Sequence, residues 1–306
     1  MIILSTSDKG GTGRSVTSCN LAYRRALQGS DVAYLDFDFG SPTAGAILSV
    51  SGAERGTTSG AGLHHYLQDR VAEPEQIDVW SASEREGLRG RPMGAGRLVL
   101  VPGDQGGGEF PVGTEMVDRC IQLFLSMEAE FELVLVDLSA GRSQAADLIL
   151  SATAARQLQA ITVRWLVFHR WTRQHIIAAS GLVFGERGLI EAGTERGHDR
   201  ADLENSIRFV RTAVLDLSSP EMAGLRPPQA AWLQSCNREL QELATKTKLG
   251  RTTMLGSIPL DPVLQWREQL ISDNDVVFSQ IANPQTSQAY EDLAKRLVHD
   301  EAWMSL

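Results

Sequence analysis

The chain has 306 residues, 42% of them hydrophobic, 22% charged and only 6% aromatic, a soluble globular composition with enough length for one large core. Its 38 acidic against 29 basic residues leave a formal charge of −9, which argues against a generally basic nucleic-acid coat, and no apolar run reaches membrane-spanning length, the longest candidate being 176–185. The opening MIILST runs straight into Ser7, Asp8 and Lys9 without the sections of a signal peptide, and Cys19, Cys120 and Cys236 are odd in number and far apart, so a cytoplasmic protein with reduced thiols is expected.

Runs rich in Val, Ile and Leu alternate with helical patterns along the chain. They predict strands at 2–6, 32–36, 97–101, 133–138, 161–167, 209–215 and 254–258. Helices are expected at 15–27, 117–130, 172–184, 230–247, 262–271 and 285–302. The strands are almost continuously apolar, as strands covered on both faces must be. The expected fold is therefore α/β, a single doubly wound, mostly parallel sheet with helices on both faces, in one domain over 1–306. Gly-rich or charged stretches at 51–62, 83–96 and 185–205 are expected as surface insertions.

The most informative segment joins the first strand to the first helix through Lys9, Gly10, Gly11, Thr12, Gly13, Arg14, Ser15 and Val16. Glycines let a backbone turn its N–H groups onto phosphate oxygens, and the positive end of the following helix points at the same charge. A hydroxyl at Ser15 is placed to ligate Mg²⁺. Against the pattern GxxxxGK[ST], Asp8 stands where the first glycine belongs and Arg14 where the lysine belongs. A Gly-rich turn with no ligand is the alternative for this loop taken alone.

Two further segments follow in order. The second strand ends on Asp36, Phe37 and Asp38, and the strand at 133–138 carries Asp137 behind four aliphatic residues. KGGTG with Lys9 in front, Asn20-Leu21-Ala22 on the first helix, the Asp36/Asp38 pair and RLVLVPG at 97–103 together resemble the ParA/MinD superfamily of deviant P-loop ATPases. DKGGTGRSVTSCN and LDFDFGSPT are most similar to variant P-loop proteins of actinomycetes that carry arginine in place of the loop lysine. The resemblance covers nearly the whole chain. It implies a nucleotide-dependent homodimer in which Lys9 reaches the partner's nucleotide and residues 10–15 hold the phosphates. It also implies that Asp38 orients the attacking water, while Ser15, Asp36, Asp38 and Asp137 serve Mg²⁺.

LGSIPLD at 255–261 resembles the family's loop against the base, which adds Pro259 and Asp261 to the nucleotide residues. At 212–218 the chain reads TAVLDLS where relatives carry an asparagine. Asp216 there would accept from a base amine, and because an acid also suits guanine, GTP stays open beside ATP. Arginine is larger and planar where a compact ammonium follows the transferring phosphoryl, so binding with slow hydrolysis is expected, either as a slow Mg²⁺-dependent ATPase switch or as a scaffold without turnover.

Residues 148–185 contain no acid but carry Arg156, Arg164, Arg170 and Arg173 with His169 and His175, interleaved with Trp165, Phe168 and Trp171. The stretch suits a protein partner, a dimer interface or nonspecific DNA. A buried strand whose arginines emerge at its ends is the simpler reading. His64 and His65 read as a solvated pair. The last helix has the wrong charge for a lipid anchor, and Trp303, Met304 and Leu306 are either a partner anchor or a frayed end.

Overall fold

A computed structural model describes residues 1–216, 219, 222 and 224–304. Ser218 of the expected base loop and Leu306 of the tail lie outside the described residues. The strands are β1 (Ile2–Thr6), β2 (Val32–Phe37), β3 (Ile77–Asp78), β4 (Leu98–Val101), β5 (Leu133–Leu138), β6 (Val163–Arg170), β7 (Ile207–Val214) and β8 (Met254–Pro259). Helices are α1 (Arg14–Leu27), α2 (Ala44–Ile47), α3 (Leu63–Leu67), α4 (Val79–Ala82), α5 (Thr114–Glu130) and α6 (Gln144–Thr153). They continue with α7 (Arg173–Phe184), α8 (Leu189–Glu195), α9 (Arg200–Asn205), α10 (Pro227–Lys246), α11 (Pro262–Trp266) and α12 (Pro284–Val298).

The strands form one eight-stranded sheet in the order β3-β4-β2-β5-β1-β6-β7-β8, parallel except for β3. Alternate strand residues feed two cores, as the period of two requires. Ile2, Leu4, Val134 and Val136 pack with α5, α6 and α7 on one face. Ile3, Tyr34, Leu135 and Leu166 pack with α1 and α12 on the other. The doubly wound α/β expectation holds. The chain leaves β1 toward β2 on one side, and β6 lies on the other, so the crevice at the carboxyl ends of these strands is where such sheets take ligands.

Two expectations are corrected. The helix expected at 262–271 stops at Trp266, because Arg267 turns extended and the chain then lies along α1, where Asn20 binds it. The stretch 185–205 is not a loop but holds α8 and α9. Leu189, Ile190 and Leu203 are buried, and Asp199 caps α9 by accepting from the amides of Ala201 and Asp202. Its apolar stripe is narrow, so the charges dominate the sequence signal.

Candidate functional site

The loop after β1 needs two left-handed turns, and glycine supplies both, at Gly11 (φ +69°) and Gly13 (φ +74°). Gly13 is also the N-cap of α1, makes no side-chain cap bond, and the first turn of α1 carries no acid. The first turn of α1 thus supplies no acid or cap of its own to its positive end, while Arg24 and Arg25 complement its other end. Across the sheet, Thr212 Oγ1 at the end of β7 donates to the Thr12 carbonyl at 2.5 Å and pins the loop. Lys9 is exposed in front of the glycines, and Ser7 Oγ donates to its carbonyl.

Beside the loop lies a cavity of about 260 Å³ walled by Gly11, Thr12, Gly13 and Val16 from the first segment and by Pro259 and Asp261 from the second. The fold thus brings together residues some 250 positions apart that the sequence had assigned to one ligand. The wall also takes Arg170, Thr212 and Tyr290, which the sequence reading had not assigned to the nucleotide. Lys9, Gly10, Arg14 and Ser15 are outside this wall. Asp216 lines an adjoining cavity of about 410 Å³ that shares Pro259. Asp261 is buried and its two oxygens accept from the amides of Val263 and Asn283, so it shapes the wall by capping α11.

Arg14 points away from this cavity, toward the acids. Its Nε donates to Asp137 Oδ1 at 2.5 Å and its Nη2 to Asp38 Oδ2 at 2.7 Å, with Ser15 Oγ 3.3 Å from Nη2. The second oxygen of Asp137 accepts from the Tyr34 hydroxyl at 2.9 Å. Asp36, paired with Asp137 in the sheet register, accepts from the amides of Asp38 and Ala44 and so holds the turn after β2. Burial raises the Asp36 carboxyl well above the ordinary range, and the charge of Asp137 adds to it. Burial also raises Asp137, with Arg14 opposing. Burial works against the Arg14 charge, yet Asp137 and Asp38 outweigh it and lift its pKa above the ordinary value.

The expected Mg²⁺ donors can be tested against this arrangement. Asp36 has both oxygens on backbone amides, Asp137 has both on side-chain donors, and Asp38 and Ser15 each give an oxygen to Arg14. A hexacoordinate ion that demands near-octahedral oxygens does not fit while the guanidinium stands among them.

Two surface expectations change, and for the acid-free stretch the simpler reading holds. His64 is buried, its Nδ1 accepting from the Asp104 amide and its Nε2 donating to the Phe39 carbonyl, while His65 Nδ1 bonds Asp104, so the pair is not solvated but braces the turn beyond Asp38. Of the readings of the acid-free stretch, the buried strand with arginines at its ends holds and the basic aromatic face does not, since β6 is buried along 164–169. Trp165 and Phe168 are core residues, Arg164 is buried on Asp300 and the Leu297 carbonyl, and Arg170 reaches the cavity wall. Trp303 is no frayed end or free anchor: it is buried, stacks under Arg164 and Arg208, and donates to the Arg296 carbonyl.

No family model and no curated protein matches the chain. Solved structures do. The MinC:MinD cell division complex of Aquifex aeolicus matches with a TM-score of 0.60 at 18% identity over 97% of this chain and 95% of that one. The ATP complex of McdA from Cyanothece matches with 0.60 at 12% over 97% and 95%. A putative plasmid partition protein of Borrelia burgdorferi bound to AMPPNP matches with 0.57 at 12% over 97% and 98%. At these identities the likeness establishes the fold, that of the MinD and ParA P-loop NTPases.

Proposed function

We propose that the chain is a ParA/MinD-like nucleotide-binding protein whose homodimerisation is controlled by a nucleoside triphosphate, with a protein partner recruited by the dimer. The observation that carries this reading is the uncapped glycine turn at the start of α1 opening onto a cavity whose far wall is Pro259 and Asp261. In this reading the amides of Gly10, Gly11, Thr12, Gly13 and Ser15 take the phosphates, Val16 packs beside them, and Asp216 lies where a base amine would be read. ATP is the nucleotide by likeness to the ATP-bound and AMPPNP-bound neighbours, and the acid at Asp216 leaves GTP as the second candidate. Lys9, exposed at the rim, is free to reach a partner's nucleotide across the dimer.

The slow Mg²⁺-dependent ATPase and the scaffold without turnover make different demands on Asp38. A carboxylate that is to orient water works best with its charge undivided, whereas one of the two Asp38 oxygens, Oδ2, is already bonded to Arg14. That bond favours the scaffold, because phosphoryl transfer depends on placing charge at the phosphate and Arg14 is directed elsewhere. DNA is left out of the reading, since of the four clustered arginines Arg164 is buried and Arg170 lines the cavity, which leaves only Arg156 and Arg173 on the surface.

Calorimetric titration of the full chain with ATP and GTP tests binding, and size-exclusion chromatography with and without ATP tests dimerisation, which Lys9→Ala should abolish while binding persists. Turnover should be near background in the wild type and rise on the order of tenfold in Arg14→Lys, which releases Asp38. Equal rates in the two proteins would refute the assignment of Arg14 as the brake.

A further inference from the structure

Three acids converge at the carboxyl ends of β2 and β5, and the cation facing them belongs to the chain itself. Asp36 and Asp137 are register partners on adjacent strands, Asp38 follows on the turn, and the Arg14 guanidinium lies between Asp38 and Asp137. We infer that the Arg14 guanidinium is the resident cation of this site, standing in the place of a divalent metal, and that the nucleotide binds the loop without one. The inference rests on the nucleotide reading for its ligand but not for its cation.

Several observations support it together. Arg14 has a side chain only 7% exposed, against 2% for Asp137 and 23% for Asp38, so the guanidinium is part of the interior and not a surface arm folded inward. Swinging it out to a phosphate would leave Asp137 buried beside Asp36 with no cation, an arrangement that like charges in a low-dielectric setting oppose strongly. The donor geometry is specific to arginine. Its fork reaches Asp137 from Nε and Asp38 and Ser15 from Nη2, a span of two edges that a single ammonium nitrogen cannot cover. Those bonds engage oxygens from three of the four side chains expected to serve a metal, and the fourth, Asp36, is held by backbone amides. A divalent ion among the same oxygens would sit against a permanent positive charge.

The sequence departure at Arg14 thereby acquires a physical meaning. In an ordinary P-loop the lysine goes to the phosphates and the Ser/Thr and acid hold the metal. Here the residue at the lysine position has moved to the metal's partners. The phosphates are left to the loop amides, the end of α1, the exposed Lys9 in front of the loop and Arg170 in the cavity wall.

The test uses the full chain and two probes. Binding of a fluorescent ATP analogue is titrated in Mg²⁺ and in EDTA, and Mn²⁺ is titrated into the free and nucleotide-loaded protein with bound ion read by electron paramagnetic resonance. In the wild type, chelation should leave the nucleotide affinity within about twofold, and no protein-bound Mn²⁺ should appear in the free protein or in excess of the Mn²⁺ carried by nucleotide alone. Arg14→Lys, chosen beside Arg14→Ala because the alanine variant strands the buried Asp137, should gain a bound Mn²⁺ that Asp38→Asn removes. A wild-type affinity that falls about tenfold or more in EDTA, or a Mn²⁺ signal with protein oxygens in the wild type, overturns the inference. If the analogue does not bind under any condition, the nucleotide reading fails. The cation inference is then decided by the Mn²⁺ arm alone, standing if only the Arg14 variants gain the ion and falling if the wild type holds it or no variant does.

Discussion

Although Arg14 binds both acids, removing Asp137 should cost far more than removing Asp38. Asp137 is buried on both sides, with Arg14 on one oxygen and the Tyr34 hydroxyl on the other, so Asp137→Ala leaves two buried donors short of a partner at once. Asp38 is partly exposed and its loss leaves Arg14 still paired. Expected costs are about 3–5 kcal/mol for Asp137→Ala and about 1 kcal/mol or less for Asp38→Ala. Urea unfolding of the two variants beside the wild type measures both, and similar losses would mean that Arg14 leans on Asp38 as much as on Asp137. At this scale the sequence showed that Arg14 was unusual but not where it points, because a side chain of that length can serve either the phosphates or the acids. Thr212 and Arg170 carried no nucleotide signal of their own: what makes them site residues is the pairing of β6 with β7 near the loop, a tertiary fact with no local trace.

Between residue and fold, the segment from Trp266 to α12 shows what an element needs beyond apolar spacing. Residues 267–271 read as helix by pattern, yet their backbone groups are drawn into contacts with α1 that compete with helical ones. Asn20 is fully buried and donates to the Gln269 carbonyl while accepting from the Ile271 amide, and Arg24 donates to the Ile271 carbonyl and the Ser287 hydroxyl. The same Asn20 opens the Asn-Leu-Ala signature read on the first helix, so a feature legible as family resemblance is, physically, the anchor of a distant strap. Asn20→Leu should therefore destabilise the chain by on the order of 2–3 kcal/mol, since a buried amide and a carbonyl lose partners and leucine returns none. It should also speed hydrogen exchange at Ile271 more than at the β1 amides, and unchanged protection there would show that Arg24 and Arg85 hold the strap without Asn20. The central strands were legible for the opposite reason, being buried on both faces and therefore continuous apolar runs. The two-residue β3 and the one-turn helices α2, α3 and α4 are too short to show a period, and α9 owes its start to the Asp199 cap.

For the whole molecule, the large scheme of a mostly parallel sheet covered on both faces was readable because strand and helix patterns alternate along the chain, whereas the strand order and the buried polar groups that tune stability were not. His169 is the clearest of these. It sits 1% exposed at the carboxyl end of β6, next to the cavity wall, with Nδ1 donating to the Arg170 carbonyl and Nε2 buried without a partner among the described residues, which favours the neutral ring. Burial lowers its pKa from 6.5 to about 4, the Arg170 carbonyl opposing and Arg211 and His175 adding to the shift. His64 and His175 are lowered too, each chiefly by burial. The sign follows from proton counting: between these limits the unfolded chain binds the proton and the folded chain does not, so stability is intact above the unfolded pKa and is lost as pH falls toward the folded one. For His169 alone the loss between pH 7 and pH 5 is about 2 kcal/mol. Chemical denaturation at pH 7 and pH 5 checks it, because His169→Gln removes this titration while any packing cost it brings applies at both pH values. The wild type should lose about 2 kcal/mol more than the variant over that interval. An identical loss in the two proteins would place the acid sensitivity elsewhere, with His64 as the next group to replace, since it braces the turn that carries Asp38.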